Sequence, residues 1–253
     1  IEIMNKNHYR YVLRLGDNAL ILGQRMTEWC GHSPLLEEDI AMANCALDHV
    51  GRARLLLSYA AELEGEGRSE DDLAFVRSDR EFENFLLCEL PIGDYAFTMA
   101  RQYLLDTYHY HLFTELVSSS DETLSAIAQK AIKETTYHMD RSRDWVLRLG
   151  DGTEESHERM QVALEGMWNY TEELFERDPV DVQMIAEAVG PDPEWLHSKW
   201  QADINATIKK ATLSVPEKKW SLSGGRNGIH TEAMGHLLSE MQHLQRTYPG
   251  LSW

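Results

Sequence analysis

Apolar residues recur along this chain at alternating steps of three and four. From Tyr9 the stripe reads Val12, Leu15, Ala19, Leu22, Met26 and Trp29. This spacing keeps one face of a helix apolar and predicts a bundle helix over about 9–30, with Gly31 and Pro34 as its stop. A second stripe, Met42, Ala46, His49, Ala53, Leu56, Ala60 and Leu63, predicts a helix over about 36–63. Its first turn carries Glu37, Glu38 and Asp39, where the helix dipole favours anions. A third stripe (Ala96, Met99, Tyr103, Asp106, Tyr110, Phe113, Val117) places a helix at about 95–117. A fourth (Leu124, Ala128, Ala131, Thr135, His138, Ser142, Trp145, Leu149) places one at about 122–149, with Asp121 able to cap it. Strand alternation is hard to find, and the prolines fall between the helical stretches.

The long connection over 64–92, with a short helix near 80–89, gives these four helices their order. A long crossover after the second helix is how ferritin-like folds join two helical pairs. The fold class expected is all-α: a ferritin-like four-helix bundle over about 9–150 with a C-terminal helical extension over about 151–253, in a single domain. Helices near 155–176, 180–188, 193–211 and 231–247 make up the extension. Ser223-Gly224-Gly225-Arg226-Asn227-Gly228 lacks GxxxxGK[ST] and reads as a turn.

Inward polar groups in such a bundle raise the question of a metal pair. A di-iron carboxylate centre takes a Glu from each of two helices and a Glu-x-x-His from each of the other two. Carboxylates neutralise and bridge the ions, and each imidazole adds a nitrogen ligand. The interior stripes offer Ala19, then His49, then Asp106, then Thr135 and His138. One carboxylate and two imidazoles are too little negative charge for two irons, though His49, Asp106 and His138 leave a single weakly held metal open. Literal Glu-x-x-His pairs occur at Glu154/His157, Glu194/His197 and Glu240/His243, all outside the four helices. They read as chance matches in a chain rich in both residues. No G-x-S-x-G, H-E-x-x-H or GxGxxG is present.

Charge narrows the partners. With 24 Lys and Arg against 42 Asp and Glu, the net charge is −18, which repels nucleic acid and anionic membranes. Such acidity either keeps a cytoplasmic protein soluble or steers a basic partner protein. Cys30, Cys45 and Cys88 form no CxxC and fit a reducing compartment. No apolar run is long enough to span a bilayer, and the first six residues do not resemble a signal peptide.

Several dispersed segments resemble a known family. They include Leu15-Gly16-Asp17-Asn18-Ala19-Leu20, Thr27-Glu28-Trp29-Cys30-Gly31-His32, Leu36-Glu37-Glu38-Asp39-Ile40-Ala41, Ala100-Arg101-Gln102-Tyr103, Tyr137-His138 and Gly228-Ile229-His230-Thr231-Glu232. From about residue 10 to the C-terminus the chain is similar to the C subunits of bacterial phenylacetyl-CoA epoxidases. The resemblance implies a structural, non-catalytic subunit paired with a homologous catalytic A subunit in aerobic phenylacetate catabolism. A small B subunit assists assembly. The di-iron centre belongs to the A subunit; a reductase subunit supplies electrons through flavin, an iron–sulfur cluster and NADPH. No cofactor is expected in this chain. The catalytic subunit's Q-D-E-x-G-H falls on Leu47–Arg52, so a Glu ligand becomes His49 and a His ligand becomes Arg52. Its K-E-E-S-F-H falls on Lys133–His138, so a Glu becomes Thr135 while His138 stays. Its third-helix acid falls on Asp106 and its first-helix Glu on Ala19. Four of the six degenerate positions are thus changed, and Arg52 would repel a metal. The competing expectations are an autonomous di-iron oxidase or iron-binding bundle, and a helical adaptor of another pathway. Trp168, Trp195, Trp200 and Trp220 are the aromatic candidates for a partner contact.

Overall fold

The computed structural model describes residues 2–251, and the side chains of 6–251. In chain order the helices are α1 (Glu2–Thr27), α2 (Leu36–Glu64), α3 (Glu70–Phe75), α4 (Leu86–Glu89), α5 (Tyr95–Leu116), α6 (Glu122–Gly150), α7 (Glu154–Met167), α8 (Pro179–Ala186), α9 (Pro193–Lys210), α10 (Glu232–Met241) and α11 (His243–Thr247). No strand occurs among the described residues. The chain forms two compact units, Ile1–Pro91 with Ser223–Trp253, and Ile92–Leu222. Residues 151–222 therefore fold with α5 and α6, whereas 223–251 fold with α1 and α2.

In the first unit α1 and α2 form a hairpin. The predicted stripe of α1 is buried from Val12 to Trp29, and that of α2 from Met42 to Ala60. Glycines set the closeness of the two helices. A Cβ at Gly16 would stand 2.7 Å from Leu57 Cδ2, and one at Gly23 would stand 3.1 Å from His49 Cβ. These two glycines lie two turns apart on one face of α1. Burying side chains such as Ile21, Leu22, Leu56 and Leu57 contributes about 1.5–3 kcal/mol each.

The crossover is sewn to α1 by polar side chains. Arg10 and Arg14 donate to Glu83, Asp17 pairs with Arg77 and accepts from the Glu83 amide at 2.9 Å, and Asn18 Oδ1 accepts from the Phe85 amide at 2.8 Å. The helix expected at 80–89 is shortened to a 3₁₀ turn at Asp79–Glu81 and to α4, and a further helix not expected, α3, is capped reciprocally by Ser69 and Asp72. The helix expected over 231–247 breaks at Gln242, whose side-chain amide donates to the carbonyls of Ala74 (3.2 Å) and Arg77 (3.0 Å). Gly228 fits the chain's return to the crossover. Its φ is +71°, and a Cβ there would lie 2.3 Å from the Arg80 carbonyl oxygen. Gly228→Ala is expected to lower stability by roughly 1–3 kcal/mol in urea melts; an unchanged midpoint would contradict this packing.

In the second unit the turn at 117–121 joins α5 and α6 as antiparallel neighbours. Asp94 and Asp121 cap their N-termini. Because α6, α7 and α9 all pack on α5, that helix is buried almost all round, Arg101 and Gln102 included. Polar contacts lock α9 to α5, among them Tyr103 Oη to Thr207 Oγ1 at 2.7 Å, Trp200 Nε1 to the Leu104 carbonyl at 2.8 Å, and His111 Nε2 to Asp203 at 2.8 Å. Trp200, one of the aromatic candidates for a partner contact, is thus a core residue. The helix expected over 155–176 ends at Met167, where the chain turns to 3₁₀ geometry. That turn lays Trp168 and Phe175 against Trp200, with ring centroids 6.0 and 5.2 Å apart.

Candidate functional site

Helical register sets the six positions. Ala19 faces inward from the middle of α1, 2% exposed. On α2, His49 and Arg52 stand one turn apart on one face, 0% and 3% exposed. Gly23 opposite His49 lets α1 come within van der Waals reach of its Cβ. In the second unit Asp106 on α5 and His138 on α6 are each 3% exposed, and their ligand atoms approach within 4.8 Å of each other. Thr135 lies one turn before His138 on the same face. Its hydroxyl donates to its own helix, to the carbonyls of Ala131 (3.1 Å) and Ile132 (3.2 Å).

The chemistry of this donor set does not fit two irons. A di-iron centre of the bundle type takes four carboxylates and two imidazoles. The six positions supply one carboxylate, two imidazoles, a hydroxyl, a methyl and a guanidinium. Arg52 is permanently charged and buried, and a fixed cation one turn from His49 opposes any metal there. Further polar groups on α5 serve packing: Thr107 Oγ1 donates to the Tyr103 carbonyl at 2.7 Å, and burial pushes the Tyr103 phenol up while Thr207 opposes it.

The histidines of two of the three literal Glu-x-x-His pairs have other employment. His157 Nδ1 lies 2.7 Å from the Gly150 carbonyl, and His197 lies tilted against Phe175 with ring centroids 4.7 Å apart. Among the described residues, none of the three pairs joins a group of three or more donors close enough to share an ion.

The whole chain, residues 1–253, matches the family described as phenylacetic acid catabolic protein. The chain belongs to that family. It is also 51% identical over 243 residues to the C subunit of the 1,2-phenylacetyl-CoA epoxidase of Escherichia coli K12, covering 96% of this chain and 98% of that one. Membership fixes the fold class as ferritin-like and all-helical, in keeping with the order hairpin, crossover, hairpin along this chain.

One cluster in the first unit leaves no motif in the sequence. Glu89, fully buried on α4, accepts from His230 Nδ1 (2.7 Å), the Thr231 amide (2.6 Å) and Asn84 Nδ2 (3.0 Å). His230 Nε2 lies 3.0 Å from the Phe82 carbonyl. Both ring nitrogens thus face acceptors, an arrangement that favours the doubly protonated imidazole. The signal for it was the segment Gly228–Glu232, legible as family-like but not as chemistry.

Proposed function

We propose that this chain is a non-catalytic, structural component of a cytoplasmic phenylacetyl-CoA epoxidase, holding and stabilising a homologous di-iron catalytic subunit. The observation that carries this reading is the donor set: one carboxylate where a metal pair takes four. The identity to the C subunit of such an epoxidase over nearly its full length supports the assignment to that complex. No helix among the described residues is long and apolar enough to cross a membrane, which agrees with the location proposed. The cofactors of the reaction then lie in other subunits: iron in the catalytic one, flavin, iron–sulfur cluster and NADPH in the reductase.

The residues of this chain take no chemical step in that reading. They fix the position of a neighbour, and buried hydroxyls on α5 and α6 bond within their own helices. Reconstitution tests it. The catalytic subunit with its reductase is expected to epoxidise phenylacetyl-CoA only when this chain is added, and this chain with the reductase alone is expected to be inactive. Turnover by this chain without the catalytic subunit would overturn the proposal.

A further inference from the structure

Helix α2 has a second apolar stripe beside its buried one, with Val50 at the border where it nears Gly23 of α1. Leu36, Ile40, Leu47 and Val50 stand 71%, 54%, 67% and 42% exposed. Leu35, just before the helix, and Leu55, further along it, are exposed as well. Through Ala43 and Arg54 the positions run 36, 40, 43, 47, 50, 54: alternating steps of four and three. That 3.5-residue repeat is the seam along which a second helix packs knobs into holes. From Leu36 to Val50 it runs about 21 Å at the helical rise. Ala43 keeps its middle low, and at its C-terminal end a Cβ at Gly51 would meet nothing within 4 Å. Outside the C-terminal segment with Leu244 and Leu251, the other exposed aliphatics Val76, Val162, Val182, Val215 and Ile229 are scattered singly over other elements, which is ordinary for a protein surface.

The charges indicate what covers the seam. Glu37 and Asp48 lie along its margin, and the cation at its end, Arg54, is already bonded to Glu70 at 3.3 Å. A second copy of a chain with net charge −18 would bring like charge to like. A helix with an apolar 3.5-residue seam and basic flanks satisfies both the spacing and the charge. We propose that the outer face of α2 is the docking surface for such a helix on the catalytic subunit, an inference that rests on the role proposed above.

The test measures binding of the purified catalytic subunit to the full chain and to two variants. Leu47→Glu places a charge in the centre of the seam and is expected to weaken the complex at least about 30-fold. Val182→Glu, the same change on α8, is expected to stay within about twofold. Both sites are solvent-exposed, so melting curves should match the unsubstituted chain. A Leu47→Glu chain that melts normally and binds as tightly as the original overturns the surface and leaves the role standing. So does a chain that dimerises by itself and becomes monomeric with Leu47→Glu, since the seam would then be filled by a second copy. Absence of any complex with the unsubstituted chain defeats the role itself. Should Leu47→Glu melt early, Leu47→Cys in a Cys30→Ser background replaces it. Its maleimide labelling is expected to slow at least about tenfold when the catalytic subunit is added, and an unchanged rate overturns the surface.

Discussion

Arg77→Ala is expected to lower the unfolding free energy by about 3–5 kcal/mol, the cost of stranding one member of a buried ion pair. That is a third or more of the stability of an ordinary domain. The two side chains are 2% and 0% exposed. Arg77 forks onto both carboxylate oxygens of Asp17, donates to the carbonyls of Leu73 and Glu81, and lies 4.1 Å over the Phe82 ring. Burial drives the Asp17 carboxyl upward and the guanidinium opposes that shift, so removing Arg77 removes the opposition. Arg77→Lys is expected to recover little, since one ammonium cannot reproduce the fork. Arg143→Ala, which breaks an exposed pair with Asp140, is expected to cost no more than about 1 kcal/mol. Urea melts at pH 7 measure all three. An Arg77→Ala chain within about 1 kcal/mol of the original would show that this pair does not hold the crossover to α1.

The second large effect is on pH dependence. Burial works against a charge on His230, but the Glu89 carboxylate, by hydrogen bond and by charge, and the Phe82 carbonyl outweigh it and raise the imidazole above its ordinary 6.5. Asp17 adds to the same direction, while Arg25, bonded to the Glu89 and Ala233 carbonyls, packs beside the pair. With the folded value above the unfolded one, the contribution is complete below pH 6.5 and is lost as pH rises through the folded value. His230→Gln is therefore expected to cost about 2–3 kcal/mol at pH 6, the scale of a hydrogen bond to a charged group, and much less at pH 9. Paired urea melts at the two pH values check this. An equal gap at both would mean that the imidazole is not charged in the folded chain.

Most of the fold was legible because its long helices obey a period of 3.6 over many turns. The expected spans of α2, α5, α6 and α9 lie within one residue of the observed ends. What failed was governed by contacts distant in sequence. Gln242 breaks the last helix because its amide reaches backbone carbonyls 165 and 168 residues away. Trp200 is core because α5 presents it a carbonyl, which no local pattern on α9 reveals. The crossover was underread because Ser69 and Asp72 cap a helix too short to show a period.

The candidate site divides the same way. Asp106, Thr135 and His138 follow from register alone, since each falls on an inward stripe. The pairing of Glu89 with His230 spans 141 residues and leaves no periodic trace. The outer face of α2 is hidden for another reason: its stripe has the same period as the buried one and differs only in phase, so periodicity alone does not separate the two.

Iron-edge anomalous scattering from crystals of the assembled epoxidase tests most directly whether this chain is the metal-free member of the complex. Iron peaks are expected in the catalytic subunit and none between the helices of this chain. A pair of iron peaks bridged by carboxylates of this chain would contradict it.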